Sequence, residues 1–135
     1  MKRYWSGSHT KHRLRYHVVW IPKRRKRLLQ KSIVGRLTEI IYEGCHMNKW
    51  WVEELSIQKD HVHMLIQIKP QESISSVIKR IKGVSSRLLR QEYPELEEFL
   101  WGDSLWCDGY FAVTVGEVDE LVVKRYISNQ GASMT

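Results

Sequence analysis

The sequence predicts an α+β domain whose antiparallel sheet carries two helices on one face, and three observations support this. Four segments are rich in β-branched and aromatic residues. Two other segments repeat apolar residues at helical spacing. These six segments follow the order β-α-β-β-α-β, which is the ferredoxin-like or RRM-like arrangement with its first and third strands adjacent at the centre. One more helix is predicted to close the chain.

The first strand is predicted at residues 14–21, a mainly apolar and aromatic run that stops at Pro22. After a basic stretch, apolar residues at helical spacing run from Leu29 to Ile41. Gly44 is the expected stop of this first helix, because glycine readily adopts the backbone conformation that ends helices.

Residues 50–58 and 61–68 are predicted to form the second and third strands, joined by a tight turn at Lys59-Asp60. Alternate residues of a strand point to opposite faces of the sheet. In the third strand one face carries Val62, Met64, Ile66 and Ile68, and the other carries His61, His63 and Leu65. We therefore expect both histidines mid-sheet, on the face that the two helices leave uncovered.

The second helix is expected to begin after Ser73, a favoured capping residue, and to end at Tyr93-Pro94. Its apolar residues are Ile74, Val77, Ile78, Ile81, Val84, Leu88 and Leu89. A loop at 101–109 and a fourth strand at 110–115 follow. The last helix is predicted from Glu117 to about Gln130.

The length and charge of the chain limit its class. Its 135 residues suit one domain, residues 1–135. Lys and Arg number 22 against 15 Asp and Glu, and the net charge of +7 favours either a polyanionic partner or a soluble surface. Cys45 and Cys107 form no CxxC pair and are expected to be reduced. Because the sequence shows no secretory signal and no membrane-spanning run, we expect a cytoplasmic protein with no membrane partner.

His61 and His63 are candidate metal ligands. Alternate residues lie about 6.6 Å apart along a strand, so two imidazoles that lean together can share one ion. This pattern is weak evidence by itself, because such histidines are often merely exposed polar residues. Tyr126 and Gln130 lie one helical turn apart, and the Gln130 amide oxygen can complete a His-His-Gln set. Three ligands leave coordination positions open, as in a catalytic site.

Tyr126 is the candidate nucleophile. A phenol with a reference pKa of about 10 ionises more readily than a serine hydroxyl and also leaves more easily, so a phosphotyrosine bond can be made and reversed. A tyrosine packed at the domain edge is the alternative. Asp60 either orients a histidine or simply favours the turn, and His17 shares the histidine face but is more typical of a structural residue.

Two basic clusters are candidates for binding a sugar-phosphate backbone. The alternative interpretation of both is a solvent-exposed charged surface with no bound partner. The clusters comprise Lys23, Arg24, Arg25, Lys26 and Arg27 after the first strand, and Lys79, Arg80 and Lys82 on the second helix. Trp101 or Trp106 offers a surface for an unpaired base, but each is more typical of the core.

The chain resembles the IS200/IS605-type single-tyrosine (Y1) HUH transposases at two signatures. These are Asp60-His-Val-His-Met-Leu-Ile and Tyr126-Ile-Ser-Asn-Gln130. Similarity extends to Tyr16-His-Val-Val-Trp20 and to the stretch from Leu105 to Gly116, so it covers nearly the whole chain. One departure is Arg24, where many relatives have tyrosine after Pro-Lys.

The resemblance implies a prokaryotic, DNA-associated homodimer that cuts single-stranded DNA with subterminal hairpins at the ends of an insertion sequence. It implies that Tyr126 takes the 5′-phosphate and leaves a free 3′-OH. It also implies that Mg²⁺ or Mn²⁺ is held by His61, His63 and Gln130. In this family the tyrosine helix commonly completes the partner subunit's site.

Two other functions stay open from the sequence. One is a repeat-associated HUH tyrosine nuclease or nickase that acts on other hairpins. The second is a non-catalytic module, because ferredoxin-like sheets also bind single-stranded nucleic acid. Against the module, His61 and His63 stand where a stacking platform would need aromatic residues.

Overall fold

The computed structural model describes residues 5–6, 11–12, 14–115 and 128. The strands are β1 (Trp5–Ser6), β2 (Lys11–His12), β3 (Leu14–Trp20), β4 (Trp51–Gln58), β5 (His61–Ile68) and β6 (Phe111–Thr114), and the α-helices are α1 (Ser32–Met47), α2 (Ile74–Glu92) and α3 (Glu97–Leu100). Short 3₁₀ helices occupy Lys23–Arg25 and Pro94–Leu96. The predicted last helix, with Tyr126, Asn129 and Gln130, lies outside the described residues except for Ser128.

The main sheet has the order β4-β5-β3-β6, and all neighbouring strands in it are antiparallel. Strands β3 and β5 are the first and third of the predicted ferredoxin-like series, so their predicted adjacency at the centre is confirmed. In their register Val19 faces His63 and His17 faces Leu65. β1 and β2 pair only with each other among the described strands.

The alternation predicted for β5 is confirmed by its burial. Val62, Met64, Ile66 and Ile68 are all 0% exposed and belong to the core. The same core contains Leu37 and Ile41 of α1, Val77 and Ile78 of α2, and Val18 and Trp20 of β3. The helices therefore cover one face of the sheet, and the histidines occupy the other face.

Helix α2 begins and ends where the sequence predicts. Ser73 has extended backbone and its hydroxyl accepts a hydrogen bond from the Ser76 N–H at 3.1 Å, which satisfies one of the unpaired donors of the first turn. Tyr93 ends the helix before Pro94, whose ring is incompatible with continuing it. No helix in the described part of the chain combines the length and apolar character that crossing a bilayer requires.

The prediction that α1 stops at Gly44 is wrong, because the helix continues to Met47. Continuation keeps Cys45, which is 1% exposed, packed against the core. Asn48 provides the end instead: its side-chain N–H donates to the Gly44 carbonyl at 2.7 Å. Lys49 then takes the positive φ of 61° that glycine often supplies at helix ends.

Met64 and Met47 offer a matched test of the core. Met64 is fully buried in β5, whereas Met47 at the end of α1 is 81% exposed. We expect Met64→Ala to lower the free energy of unfolding by about 2–5 kcal/mol through lost burial and a residual cavity. Met47→Ala should change it by less than about 0.5 kcal/mol. Urea denaturation followed by circular dichroism measures both, and equal losses would contradict the assigned β5 faces.

Candidate functional site

Three histidines lie on the sheet face opposite the helices. His61 and His63 are two residues apart at the start of β5, and His17 lies diagonally across from His63 on β3. The His61 side chain is 16% exposed and His17 is 9% exposed. The pairing of β3 with β5 thus brings histidines from two distant sequence segments together in one partly buried cluster.

His61 is held by a carboxylate that is itself held by an arginine. The His61 Nδ1–H donates to Asp60 Oδ1 at 3.0 Å, and the Arg25 guanidinium lies 2.9 Å from Asp60 Oδ2. Partial burial raises the pKa of Asp60, but the His61 hydrogen bond and the Arg25 charge outweigh it and leave this pKa below its ordinary value. Asp60 therefore stays ionised and directs the lone pair of His61 Nε2 away from itself.

Asp60 serves both roles that the sequence left open. It occupies the tight turn between β4 and β5, and it also orients His61. Metal-binding histidines commonly donate their second ring N–H to a carboxylate in this way. Arg25 was grouped with the basic residues in the sequence, and nothing in the sequence pattern links it to Asp60.

The His63 ring lies against His17 of the neighbouring strand β3. Nδ1 of His17 lies 3.1 Å from Nε2 of His63, within hydrogen-bonding distance. The ring centroids are 5.3 Å apart. Alternation along β3 placed His17 on the histidine face, but this contact depends on the register between strands and could not be obtained from either segment.

The two β5 histidines are two of the three ligands that the sequence predicts, and they lie on the same face of the strand. His61 has the carboxylate contact that metal-binding histidines commonly have. Within residues 14–115, no group of three or more His, Cys, Asp or Glu side chains is arranged to hold a metal ion. A complete set therefore requires a further ligand, and the predicted one, Gln130, lies outside the described residues, as does Tyr126.

The basic segment after β3 is tied to acidic and carbonyl partners. Lys23 and Arg24 lie 3.7 Å and 3.5 Å from Asp103, and Lys26 donates to the Phe99 carbonyl. The Arg24 side chain is nevertheless 64% exposed. Arg27 is exposed as well. Arg24 and Arg27 are therefore the members of this segment best placed to meet a solvent-borne phosphate.

The cationic side chains of helix α2 are of two kinds: some are exposed to solvent, and others form hydrogen bonds within the protein. Lys79, Arg80 and Arg87 are exposed and, together with Ser76 and Gly83, line an open groove of about 400 Å³. Lys82 instead donates to the carbonyls of Cys107 and Gly109 at 2.8 and 2.9 Å. Partial burial lowers the pKa of Lys82. Its ammonium group fixes the loop that leads into β6.

Replacing Lys82 with methionine should therefore destabilise the fold. Met keeps the length and apolar stem but leaves two carbonyls without their charged donor, so we expect a loss of about 1–3 kcal/mol in the free energy of unfolding. Lys79→Met on the exposed side of α2 is the matched control and should change stability by less than about 0.5 kcal/mol. Chemical denaturation of the two variants distinguishes a structural lysine from a surface lysine.

The two candidate stacking tryptophans differ. Trp106 is 4% exposed, donates its indole N–H to Ser85 at 3.0 Å and packs edge-on against Trp20, so its predicted core position is confirmed. The same prediction is wrong for Trp101, which is 86% exposed. Trp101 has a positive φ of 53° after the four-residue helix α3, and this tight exit turns its side chain outward.

Comparisons with known proteins agree on one family. A family model described as "Transposase IS200 like" matches residues 10–130. The chain is 34% identical over 119 residues to the ISDra2 transposase TnpA of Deinococcus radiodurans, covering 88% of this chain and 85% of that relative. It is 30% identical over 125 residues to the transposase for insertion sequence element IS200 of Salmonella typhimurium, covering 93% and 82%.

Solved structures show the same fold. A crystal structure of a protein from Deinococcus radiodurans, assigned as a transposase, superposes with a TM-score of 0.84 at 30% identity and covers 93% of this chain and 97% of that chain. A REP-associated tyrosine transposase bound to a REP hairpin superposes with a TM-score of 0.55 at 13% identity, covering 100% and 76%. At that identity the second similarity concerns the fold.

Proposed function

Because the chain belongs to the IS200-like transposase family, we propose that it cleaves and rejoins single-stranded DNA at the ends of an insertion sequence through a 5′-phosphotyrosine intermediate. The observation that carries this proposal is the pair His61 and His63 on one strand face, with His61 oriented by Asp60. Paired imidazoles with carboxylate support suit a divalent cation at a phosphoryl-transfer site better than a nucleic-acid stacking surface.

In the proposed reaction Tyr126 attacks the scissile phosphorus. A bond forms between phosphorus and the phenolic oxygen, the bond to the 3′ oxygen breaks, and a proton completes the free 3′-OH. A second 3′-OH later attacks the phosphotyrosine, which joins the strands and releases the phenol. Both steps exchange one phosphodiester for another, so the joining step needs no external energy source.

His61, His63 and Gln130 would hold the Mg²⁺ or Mn²⁺ ion. When bound, such an ion supplies stabilisation of the charge that develops on the phosphate oxygens. Asp60 would contribute by accepting the His61 Nδ1–H, which fixes the orientation of the ring and leaves Nε2 as the nitrogen that can bind the ion. Arg25 in turn fixes Asp60.

The DNA backbone would be bound by exposed cations. Arg24, Arg27, Lys79, Arg80 and Arg87 meet this requirement in the described structure. Arg25 and Lys82 act through the protein instead, by fixing Asp60 and the loop before β6. We further propose, on the family resemblance, that the active form is a homodimer that binds subterminal hairpins and in which the tyrosine of one subunit completes the other's site.

Labelled single strands carrying the hairpin-flanked ends of the element test this function. Incubation with Mn²⁺ should yield a cleaved 3′-OH strand and a protein-DNA adduct that survives denaturation, and a chelator should abolish both. Preferential cleavage of dispersed repeat hairpins would instead favour a repeat-associated nuclease. Binding that needs no metal and causes no scission with Mg²⁺ or Mn²⁺ would favour a binding module.

A further inference from the structure

We propose that an open cleft beside the basic segment after β3 binds one unpaired nucleotide of the DNA strand, with its base stacked on Trp101 and its phosphate on Arg24. This Trp101 cleft has a volume of about 540 Å³ and is lined by Arg24, Leu100, Trp101, Gly102 and Asp103. The inference rests on the proposed function, because it names where a single-stranded substrate is held beside the cleavage site.

The backbone around Trp101 imposes the exposure of its side chain. Leu100, the residue before it, is 2% exposed and belongs to the core, whereas Trp101 is 86% exposed. Trp101 has a φ of 53° and Gly102 has a φ of 78°, so the chain turns sharply where α3 ends. A positive φ is uncommon for a residue other than glycine. This turn presents a large flat ring to solvent that contributes little to packing of the core.

Hydrogen bonds fix the turn on both sides of Trp101. The Trp101 N–H donates to the Glu97 carbonyl at 3.0 Å, and the Gly102 N–H donates to the Glu97 carboxylate at 3.2 Å. The Arg90 guanidinium donates to the same carboxylate at 2.8 Å and to the Asp103 carbonyl at 2.6 Å. The backbone that carries the ring is therefore positioned before any ligand arrives, which lowers the entropic cost of binding.

Arg24 supplies a cation at the same cleft. Its side chain is 64% exposed, and its guanidinium lies 3.5 Å from the Asp103 carboxylate. A guanidinium has five N–H donors, so this contact leaves donors for a phosphate. The Lys23 ammonium also lies 3.7 Å from Asp103. Two cations thus face one carboxylate, and the excess positive charge favours a phosphate group.

The Trp101 cleft adjoins the histidine end of the sheet. Arg24 is followed directly by Arg25, whose guanidinium lies 2.9 Å from Asp60, and Asp60 accepts the hydrogen bond from His61. A strand with one phosphate at His61 can therefore place a nearby nucleotide in the cleft. Aromatic rings beside cations bind single strands in this way. An unpaired flank of the cleavage site is the expected occupant, because only an unpaired base has a free face to stack.

Two fluorescein-labelled probes separate base stacking from phosphate binding: an oligothymidine and an abasic deoxyribose-phosphate strand of equal length. Fluorescence anisotropy with a chelator present gives the affinity for each without cleavage. We expect Trp101→Ala to lower the affinity for oligothymidine about 5–100-fold and to leave the affinity for the abasic strand unchanged. Trp101→Phe keeps a stacking ring and should retain most of the affinity. Tyr42→Ala, which removes an exposed ring of α1, should change neither affinity.

Arg24→Gln should weaken binding of both probes, because both carry phosphates. The slope of log affinity against log salt should fall by about 0.7 for the one phosphate contact that is lost. Lys49→Gln removes an exposed cation at the opposite end of the sheet and should leave this slope unchanged. Thermal unfolding identifies any variant that fails to fold. An unchanged slope in folded Arg24→Gln would remove Arg24 from the site.

Single abasic substitutions along the unpaired flank of the element end locate the nucleotide. Wild type should lose affinity at a position beside the cleavage site, and Trp101→Ala should lose none there. A flat profile in wild type, equal losses on both probes, or unchanged oligothymidine affinity in folded Trp101→Ala would overturn the proposed cleft. A changed oligomeric state of DNA-free Trp101→Ala would also overturn it, by assigning Trp101 to a contact between copies.

Failure of the cleft and failure of the proposed function are separable. Mn²⁺-dependent cleavage of the element ends is measured independently, so loss of the Trp101 result leaves the transposase proposal in place. Wild-type protein that shows Trp101-dependent stacking but cleaves no strand would overturn the proposed function and leave the cleft as a binding site.

Discussion

Replacing Tyr126 with phenylalanine is expected to abolish the covalent protein-DNA adduct and to lower the single-turnover rate of strand cleavage by at least about 10³-fold. The substitution removes one oxygen atom and keeps the ring, so packing of the side chain should persist. Without the phenolic oxygen no phosphotyrosine bond can form. Denaturing gels of labelled single strands with Mn²⁺ measure both products.

A control separates this chemistry from a general loss of structure. Tyr42 on α1 is 46% exposed, and Tyr42→Phe makes the same atomic change on the helix side of the molecule. It should leave cleavage unchanged. DNA affinity of Tyr126→Phe, measured with a chelator present, should equal that of wild type. An adduct that forms undiminished in Tyr126→Phe would show that another residue is the nucleophile.

Removing the β5 imidazoles should have the second large effect. We expect His61→Ala and His63→Ala each to lower the Mn²⁺-dependent cleavage rate by at least about 100-fold, because each change deletes a proposed ligand. Loss of the cation removes the charge that stabilises the phosphate oxygens as the bond breaks. Rates over a range of Mn²⁺ concentrations distinguish weaker ion binding from a defect that saturating ion does not repair.

His46→Ala is the matched control for this experiment, since His46 is an exposed histidine on α1 outside the histidine face. Asp60→Asn should give an intermediate loss, because it keeps an acceptor for His61 but removes the charge that Arg25 and His61 share. Cleavage that persists at the wild-type rate in both His61→Ala and His63→Ala would reject the metal site on β5.

The fold was predictable because its signals are local and repeated. The alternation of Val62 and Met64 with His61 and His63 requires only that a strand exposes successive residues on opposite faces. This alternation predicted both which residues of β5 face the core and which face carries the histidines. Ser73 and Tyr93-Pro94 likewise act within one turn of helix. Gly44 failed as a stop because packing of Cys45 outweighed the local preference.

The contacts that hold the site histidines and Asp60 in place form between segments that are distant in the sequence, so they depend on the tertiary fold. His17 reaches His63 through strand register, and Arg25 reaches Asp60 because Pro22 bridges to Trp106 and the backbone then turns through positive φ angles at Arg24 and Arg25. No periodicity in the sequence carries this information.

Identical side chains on one helix show the same limit. Lys79 and Lys82 are three residues apart on α2, yet Lys79 is exposed and Lys82 binds two carbonyls of the loop before β6. Trp101 and Trp106 differ in burial for a similar reason, because the path of the loop exposes Trp101 and buries Trp106. Residue type alone could not assign these roles.

Mass spectrometry of the trapped adduct is the most direct test of the central claim that Tyr126 attacks DNA at the β5 histidine site. Trypsin cleaves after Arg125 and releases a peptide that begins at Tyr126, which is the sole tyrosine in residues 126–135. After nuclease trimming of adduct formed with Mn²⁺, we predict a 5′-nucleotide linked to Tyr126, and no such peptide from His63→Ala. A nucleotide on any other residue, or an equal yield from His63→Ala, would contradict the account.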